Sequence, residues 1–146
     1  MNSNLKLLTA IYQNAKIAIQ SINDLMDSVK NAGLKKEISE QELAYQVIAK
    51  ECIMISSSEN QNLKDNNWFE KAKLWTSIKF STFSDQSTSH LAEMMMLGTM
   101  MGMIDIIREL SLNKDADIEI LELGKKLLET EENHITKLKK YIEESK

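Results

Sequence analysis

One stretch, from Ser87 to Leu110 (STSHLAEMMMLGTMMGMIDIIREL), constrains the fold more than any other part of the chain. Steps of three and four residues along it give one face that is apolar for most of its length, with a histidine and a glutamate at its N-terminal end. That face consists of His90, Glu93, Leu97, Met100, Ile104 and Ile107. A helix with such a stripe needs a partner surface in water. We therefore expect this face to be buried in the core of a helical domain.

Composition supports an all-helical fold. The 146 residues include no proline, four glycines and 5% aromatic side chains, whereas leucine, isoleucine, methionine, lysine and glutamate are frequent. These are mostly strong helix formers, and the length suits one domain with a sizeable core. We predict a single domain covering residues 1–146.

Two further segments carry heptad patterns in the first part of the chain. Residues 4–30 alternate apolar steps of three and four, which is typical of a helix in a bundle. Gly33 is predicted to end this helix in the usual C′ position. A second helix is predicted from about Ile38 to about Gln61. The predicted buried positions are Leu5, Leu8, Tyr12, Ala15, Ile19, Ile22, Met26 and Val29 in the first helix, and Ile38, Gln41, Tyr45, Ile48, Cys52, Ile55 and Glu59 in the second.

The C-terminal part repeats this arrangement. After the helix over about Thr88–Leu110, residues 111–116 form a predicted turn with Asp115 as N-cap. The last helix runs to about Glu144, with a buried pattern at Leu121, Gly124, Leu128, Glu131, His134 or Ile135, Leu138, and Tyr141 or Ile142.

Most of the aromatic residues lie between the second helix and the Ser87–Leu110 stretch. Trp68–Phe80 has a helical pattern, whereas 81–89 is rich in residues that cap and turn. We expect a short extra helix here that crosses or caps the bundle, although one long helix over 67–111 is the alternative. The resulting fold is all-α, an antiparallel up-down four-helix bundle with a short extra helix before the third long helix.

The polar positions of the last two helices are predicted to meet. Counting at 1.5 Å per residue from Ser111 backwards and from Lys114 forwards places the pair His90 and Glu93 level with the pair Glu131 and His134. The same count places Gly102 level with Gly124. Glu59 and Tyr12, on the predicted buried faces of the second and first helices, are expected near the same level. Two histidines, three glutamates and a tyrosine would then share one layer of the core.

The segments DQSTSHLAEMMMLGTMMGMIDI and EENHITKLKKYI resemble small helical-bundle proteins of clostridia and related bacteria, and the whole chain resembles the ferritin-like four-helix bundles. In the di-iron members, two helices supply one Glu each and two supply Glu-x-x-His. This chain has one Glu-x-x-His, at Glu131–His134. The second helix offers Glu59-x-x-Asn62, the third has the order reversed, and the first has Tyr12 where a Glu is expected.

The resemblance and the predicted layer together imply a bound metal ion, with iron, manganese and zinc as candidates. Its ligands would be His90, Glu93, Glu131, His134 and Glu59. One alternative is a polar layer without metal, in which the buried histidines and glutamates pair with each other and fix the register of the helices. A small-molecule pocket is the other.

A second functional hypothesis is an interaction or structural protein. Methionines surround the third helix, so they cannot all face the core. Some are therefore expected to contact a second copy in a homodimer or larger oligomer. Core packing explains them better than Cu(I) binding does. Glutamate at Met95 or Met101 would then weaken association. The pair Gly98-x-x-x-Gly102 is expected to allow close packing of the last two helices.

Charge and motifs narrow the functional classes. The net charge is −4 with both signs interspersed, which does not indicate a nucleic-acid partner. No signal-peptide pattern or membrane span is recognised in the sequence, so we expect a cytoplasmic protein. The single cysteine, Cys52, is predicted to be an inert core thiol. No phosphate-binding or nucleophile motif is present, and no enzymatic activity is predicted beyond the remote case of a di-iron centre.

Overall fold

A computed structural model describes residues 2–58, 63 and 87–143 of the chain. These residues form four long α-helices and no strand. The helices are α1 (Ser3–Met26), α2 (Ala32–Ser58), α3 (Thr88–Leu112) and α4 (Ile118–Glu143). The all-helical prediction is confirmed for this part of the chain. Glu59, the extra helix over Trp68–Phe80 and the break over 81–86 lie outside the described residues.

Side-chain caps fix where three of the helices begin. The Asn2 side-chain oxygen, Oδ1, accepts a hydrogen bond from the Leu5 N–H at 2.8 Å. Asn31 does the same for the Leu34 N–H at 2.9 Å, and the Ser87 hydroxyl accepts from the His90 N–H at 3.3 Å. Each cap satisfies a backbone donor that has no partner inside its helix. The predicted start of the third helix near Thr88 is therefore confirmed.

Two predicted boundary residues have other roles. Gly33 was expected to end the first helix, but it lies in the first turn of α2 because Asn31 starts that helix. A Cβ at Gly33 would stand 3.0 Å from the Tyr141 hydroxyl, so the absence of a side chain permits close contact with the end of α4. Asp115 was expected to cap the last helix, but its carboxylate accepts a hydrogen bond from the Ser3 hydroxyl at 2.6 Å, and α4 begins at Ile118.

The core is formed largely by the predicted patterns of α1, α2 and α4. All four helices contribute to one cluster of buried apolar side chains. The predicted positions on α2 are buried from Ile38 to Cys52, and those on α4 include buried Gly124, Glu131, His134, Leu138 and Tyr141. In α1 the predicted positions Leu8, Ala15 and Ile22 are buried. Their neighbours Leu7, Ile11 and Leu25 are buried as well, so the apolar face is shifted to one side of the predicted one.

The predicted burial of the α3 face is wrong. Between 45% and 55% of Leu97, Met100, Ile104 and Ile107 is exposed. The side that faces the core carries Leu91, Ala92, Met94, Met95 and Ile106. Because α3 is apolar around most of its circumference, its periodicity could not determine which side packs inward. Met95 therefore belongs to the core and not to an outer surface.

Contacts along the helices define their relative positions. The start of α1 lies at the α3–α4 turn, where Asn4 accepts a hydrogen bond from the Asp117 N–H at 2.7 Å. Further along, the Asn14 amide of α1 donates to the Gly102 carbonyl of α3 at 2.9 Å. Helices α2 and α4 are joined by an ion pair between Lys126 and Glu51 at 2.9 Å.

Helix α1 packs against α2, α3 and α4, and α4 also packs against α3 and α2. The final turns of α2, at Met54 and Ile55, line a groove with Glu119 and Glu122 near the start of α4. The first turn of α3 lies at the opposite end, where the Ser89 hydroxyl donates to the Ile142 carbonyl at 3.2 Å. The chain therefore leaves α2 at one end of the bundle and enters α3 at the other.

Helix α3 also has the length and apolar composition of a membrane span. An 18-residue stretch of it has a mean hydropathy of 1.3, and 28% of that stretch is buried. It is the single helix of this kind in the described part of the chain. Length and composition alone are weak support for a membrane location.

Candidate functional site

A polar layer crosses the middle of the bundle, where residues of all four helices meet. On α4, the Glu131 carboxyl accepts a hydrogen bond from the Tyr45 hydroxyl of α2 at 3.2 Å. On α3, a Cβ added at Gly102 would stand 2.9 Å from Glu131 Oε2 and 3.3 Å from Asn14 Oδ1 of α1. The missing side chain at Gly102 therefore leaves space for two polar groups from neighbouring helices.

Glu131 is the most deeply buried acidic side chain of the described residues, with 1% of its surface exposed. The pKa of this carboxyl is raised from 4.5 to about 8, mainly by loss of solvation; the Tyr45 hydrogen bond opposes the rise, and the negative charge of Asp105 adds to it. The second oxygen, Oε1, is buried without a hydrogen-bond partner. At neutral pH the group is therefore mostly a neutral carboxylic acid with unused hydrogen-bonding capacity.

His134 lies one helical turn beyond Glu131, and its ring packs edge-on against Tyr45 with 5.2 Å between the ring centroids. Burial, with a smaller effect of the nearby Lys137 charge, lowers the pKa of this imidazole from 6.5 to about 4. The ring is therefore neutral at physiological pH. Its Nδ1 atom is buried without a hydrogen-bond partner.

A cleft of about 390 Å³ opens between α1 and α3 and ends on Glu131 and Tyr45. This volume lies in the range of small-molecule sites. Gly98 and Gly102 form part of the α3 wall, so the two predicted close-packing glycines border the cleft. The apolar lining includes Ile17, Ala18, Ile22, Leu25, Met95, Met101 and Ile106, and the polar lining includes Gln13, Asn14, Gln41 and Thr99.

The charged lining residues are mostly acidic. Asp105, Glu109 and Glu131 line the cleft together with one base, Arg108. Asp105 and Arg108 form an ion pair at 3.4 Å, with 69% and 63% of their side chains exposed, respectively. Such exposed pairs are weak and leave both groups available to solvent. The charged mouth of the cleft is thus open to water, while its base is buried.

The structure does not bring the two predicted polar pairs together. His90 and Glu93 are near each other, with 3.8 Å between Nδ1 and Oε2, but 57% of the Glu93 side chain is exposed. Ser89 contacts Ile142, which lies eight residues beyond His134, about 12 Å along α4. The first pair is therefore near the end of the bundle and the second is at its middle.

The predicted levels were displaced because the turn was placed too early. The count started α4 at Lys114, whereas Asn113 to Asp117 form the connection and the helix begins at Ile118. The prediction that Gly102 is level with Gly124 is wrong for the same reason. A Cβ at Gly124 would meet Leu110 at 2.8 Å, and Gly102 faces Glu131.

Within residues 2–58, 63 and 87–143, no group of three or more His, Cys, Asp or Glu side chains could hold a metal ion. Of the predicted ligands, Glu131 and His134 share the central layer, His90 and Glu93 are elsewhere, and Glu59 is outside the described residues. Tyr12 is half-buried and does not line the cleft.

Sequence reasoning identified Glu131 and His134 as buried polar positions but missed two partners. Tyr45 was placed on the buried face of the second helix without being matched to Glu131. Asn14 was not singled out, because it lies beside the heptad positions. A signal for Tyr45 was present, since a buried carboxyl requires a hydrogen-bond donor at its own level.

Comparison of the chain with models of known protein families, with curated proteins and with solved structures finds no match.

Proposed function

We propose that this chain is a binding protein for a small molecule, which enters the cleft between α1 and α3 and contacts Glu131. The observation that carries the proposal is a buried carboxyl with an unpartnered oxygen at the end of an open cleft. Burial of an incompletely bonded polar group costs about 1–3 kcal/mol. A group whose pKa is displaced by such burial, and which borders a cleft, is a candidate binding residue.

The proposal includes a ferritin-like order of the helices. Neighbouring helices would be antiparallel, whereas α2 and α3 would run in the same direction, joined by one long crossover. Support comes from the chain leaving α2 and entering α3 at opposite ends of the bundle. One long crossover is the feature that distinguishes ferritin-like bundles from those with short loops throughout. The strict up-down order expected from the sequence would be replaced by up-down-down-up.

Binding is favoured over catalysis at this site. His134 is neutral and packs on Tyr45, and it is absent from the cleft lining. Tyr45 donates to Glu131, and its pKa is raised well above 10 because it is desolvated and faces that carboxyl. Neither group is therefore positioned as a base toward a molecule in the cleft.

The experiment compares the wild type with a variant whose cleft is partly filled. Ala18 lines the cleft and is half-buried, so Ala18→Leu places extra methyl groups in it. Ala44→Leu is the matched control, because Ala44 is half-buried on α2 and does not line the cleft. A mixture of cationic, neutral and anionic fragments is screened by ligand-observed NMR. We expect at least one fragment to bind the wild type and Ala44→Leu but to lose tenfold or more in affinity with Ala18→Leu. Equal binding by all three proteins would refute the proposal.

Metal content separates this proposal from the sequence-based metal hypothesis. Untagged protein purified without chelator is analysed by mass spectrometry beside Glu131→Gln and His134→Gln. We expect less than one tenth of an equivalent of iron, manganese or zinc in all three. Near-stoichiometric metal that disappears in both variants would show that the site binds a metal ion and would contradict the proposal of an organic ligand.

A second candidate function is self-association through the outer face of α3, formed by Leu97, Met100, Ile104 and Ile107. No charged residue lies between Glu93 and Asp105, so identical faces of two copies could pack about a two-fold axis. Ile104→Glu should convert a dimer to a monomer in analytical ultracentrifugation, whereas Leu43→Glu on exposed α2 should not. A wild-type protein that is monomeric at about 100 µM would exclude self-association as the function.

A further inference from the structure

The chemistry of the cleft identifies a class of ligand. We infer that the ligand is an organic ammonium ion whose nitrogen contacts Glu131 at the base and whose apolar part lies along α1 and α3. The inference rests on the proposed binding function and adds the charge and shape of the molecule.

Charge is the first argument. Two acidic residues, Asp105 and Glu109, and one base, Arg108, line the cleft, so its charged groups are net negative even with Glu131 neutral. An anion entering would meet a net negative surface and then a buried carboxyl. A cation is attracted to the negative lining, and at the base it favours the anionic form of Glu131, where the exclusion of solvent strengthens the attraction.

Hydrogen-bonding capacity is the second argument. An ammonium group carries three donors and no acceptor. Glu131 Oε1 is buried without a partner, and Asn14 Oδ1 lies beside the same space next to Gly102 that Glu131 Oε2 borders. The Asn14 amide nitrogen already donates to the Gly102 carbonyl, so its oxygen is the atom directed to other partners. These acceptors suit a donor-rich group better than a hydroxyl or a carboxylate.

Volume is the third argument, and it distinguishes an organic cation from a metal ion. A space of about 390 Å³ would hold roughly a dozen water molecules at about 30 Å³ each. A single ion on one carboxyl would leave most of this space to water. An alkyl chain would displace that water from Ile17, Ile22 and Ile106, whose side chains line the cleft.

Three probes of the same length test the inference: hexylammonium, hexanol and hexanoate. Each is titrated by NMR into the full chain and into Glu131→Gln, which preserves the shape of the side chain but cannot become an anion. Glu132→Gln is the matched control, because Glu132 is the exposed neighbour on the same helix. Ala18→Leu reports whether binding occurs in the cleft.

We expect hexylammonium to bind at least tenfold more tightly than hexanol, and hexanoate not to bind. Glu131→Gln should weaken hexylammonium tenfold or more, whereas Glu132→Gln should leave it within twofold. Hexanol or hexanoate binding as tightly as hexylammonium, with sensitivity to Ala18→Leu, would overturn the ammonium inference and leave the binding function intact. Binding that is insensitive to Ala18→Leu, or the absence of binding by all three probes, would overturn both.

Discussion

The Glu131 carboxyl lies against the backbone of Gly102, so close that a Cβ at that glycine would stand 2.9 Å from Oε2. The contact joins α4 to α3 at the level where Tyr45 donates its hydrogen bond. Glycine at position 102 is therefore a requirement of the buried acid and not only of helix packing.

Gly102→Ala should consequently be destabilising relative to Gly124→Ala. Alanine in a helix gains about 1 kcal/mol over glycine at either position. At Gly124 the new methyl meets the tip of Leu110, which can rotate, whereas at Gly102 it meets a carboxyl held by Tyr45. Overpacking of this kind costs about 1–3 kcal/mol. Urea unfolding should show Gly102→Ala less stable than Gly124→Ala by about 1–3 kcal/mol, and equal stabilities would contradict the contact.

The buried acid should make the fold less stable as pH rises. The Glu131 carboxyl has a pKa of about 8 in the folded chain and 4.5 as its ordinary value. Between these values the unfolded chain releases the proton while the folded chain retains it, so the free energy of unfolding falls as pH rises from about 4.5 to about 8. At about 1.4 kcal/mol for each pH unit the full effect is of order 5 kcal/mol. Glu131→Gln should abolish this fall and Glu132→Gln should not, as measured by urea unfolding at successive pH values.

His134 should act in the opposite direction. Its pKa is about 4 in the fold against an ordinary value of 6.5, so the unfolded chain binds the additional proton between these values. Stability contributed by neutral His134 is lost as pH falls from about 6.5 to about 4, an effect of order 3 kcal/mol. The two groups nearly cancel between pH 4.5 and 6.5. The free energy of unfolding of His134→Gln should therefore decline continuously from pH 4.5 to 8. A pH dependence of stability parallel to that of the wild type would contradict a buried, neutral His134.

Cys52 should be unreactive in the native state. The side chain is fully buried in the core of α2, and burial raises the pKa of the thiol to about 12. Only the thiolate reacts rapidly with disulfide reagents. Labelling by a chromogenic disulfide should proceed at the rate of unfolding, at least 100-fold more slowly than at Met54→Cys, which adds a thiol at an exposed α2 position. Comparable rates at the two positions would show that the core opens there.

The sequence patterns predicted much of this architecture because α1 and α4 each have a polar side that contrasts with an apolar one. On α2 the heptad spacing identified the buried face although Leu43, Val47 and Met54 are exposed. Helix α3 lacks that contrast, and its inward side follows from contacts with Asn14 and Glu131, which periodicity does not report. The polar layer was displaced for a related reason. An error of a few residues in the turn after Leu112 moves every facing pair along α4, so His90 was matched with the wrong level. The burial of Glu131 and His134 could be predicted because it depends on the apolar pattern of α4 itself and not on the position of the turn.

The most direct test of the central claim is a titration of protein labelled with ¹³C at the methionine methyl groups. Met95 and Met101 line the cleft, whereas Met54 is exposed on α2 away from it. On addition of hexylammonium chloride we predict saturable shifts of the Met95 and Met101 signals, no shift of Met54, and loss of the effect in Glu131→Gln. Shifts confined to methionines outside the cleft, or unchanged by Glu131→Gln, would contradict a binding site that ends on this carboxyl.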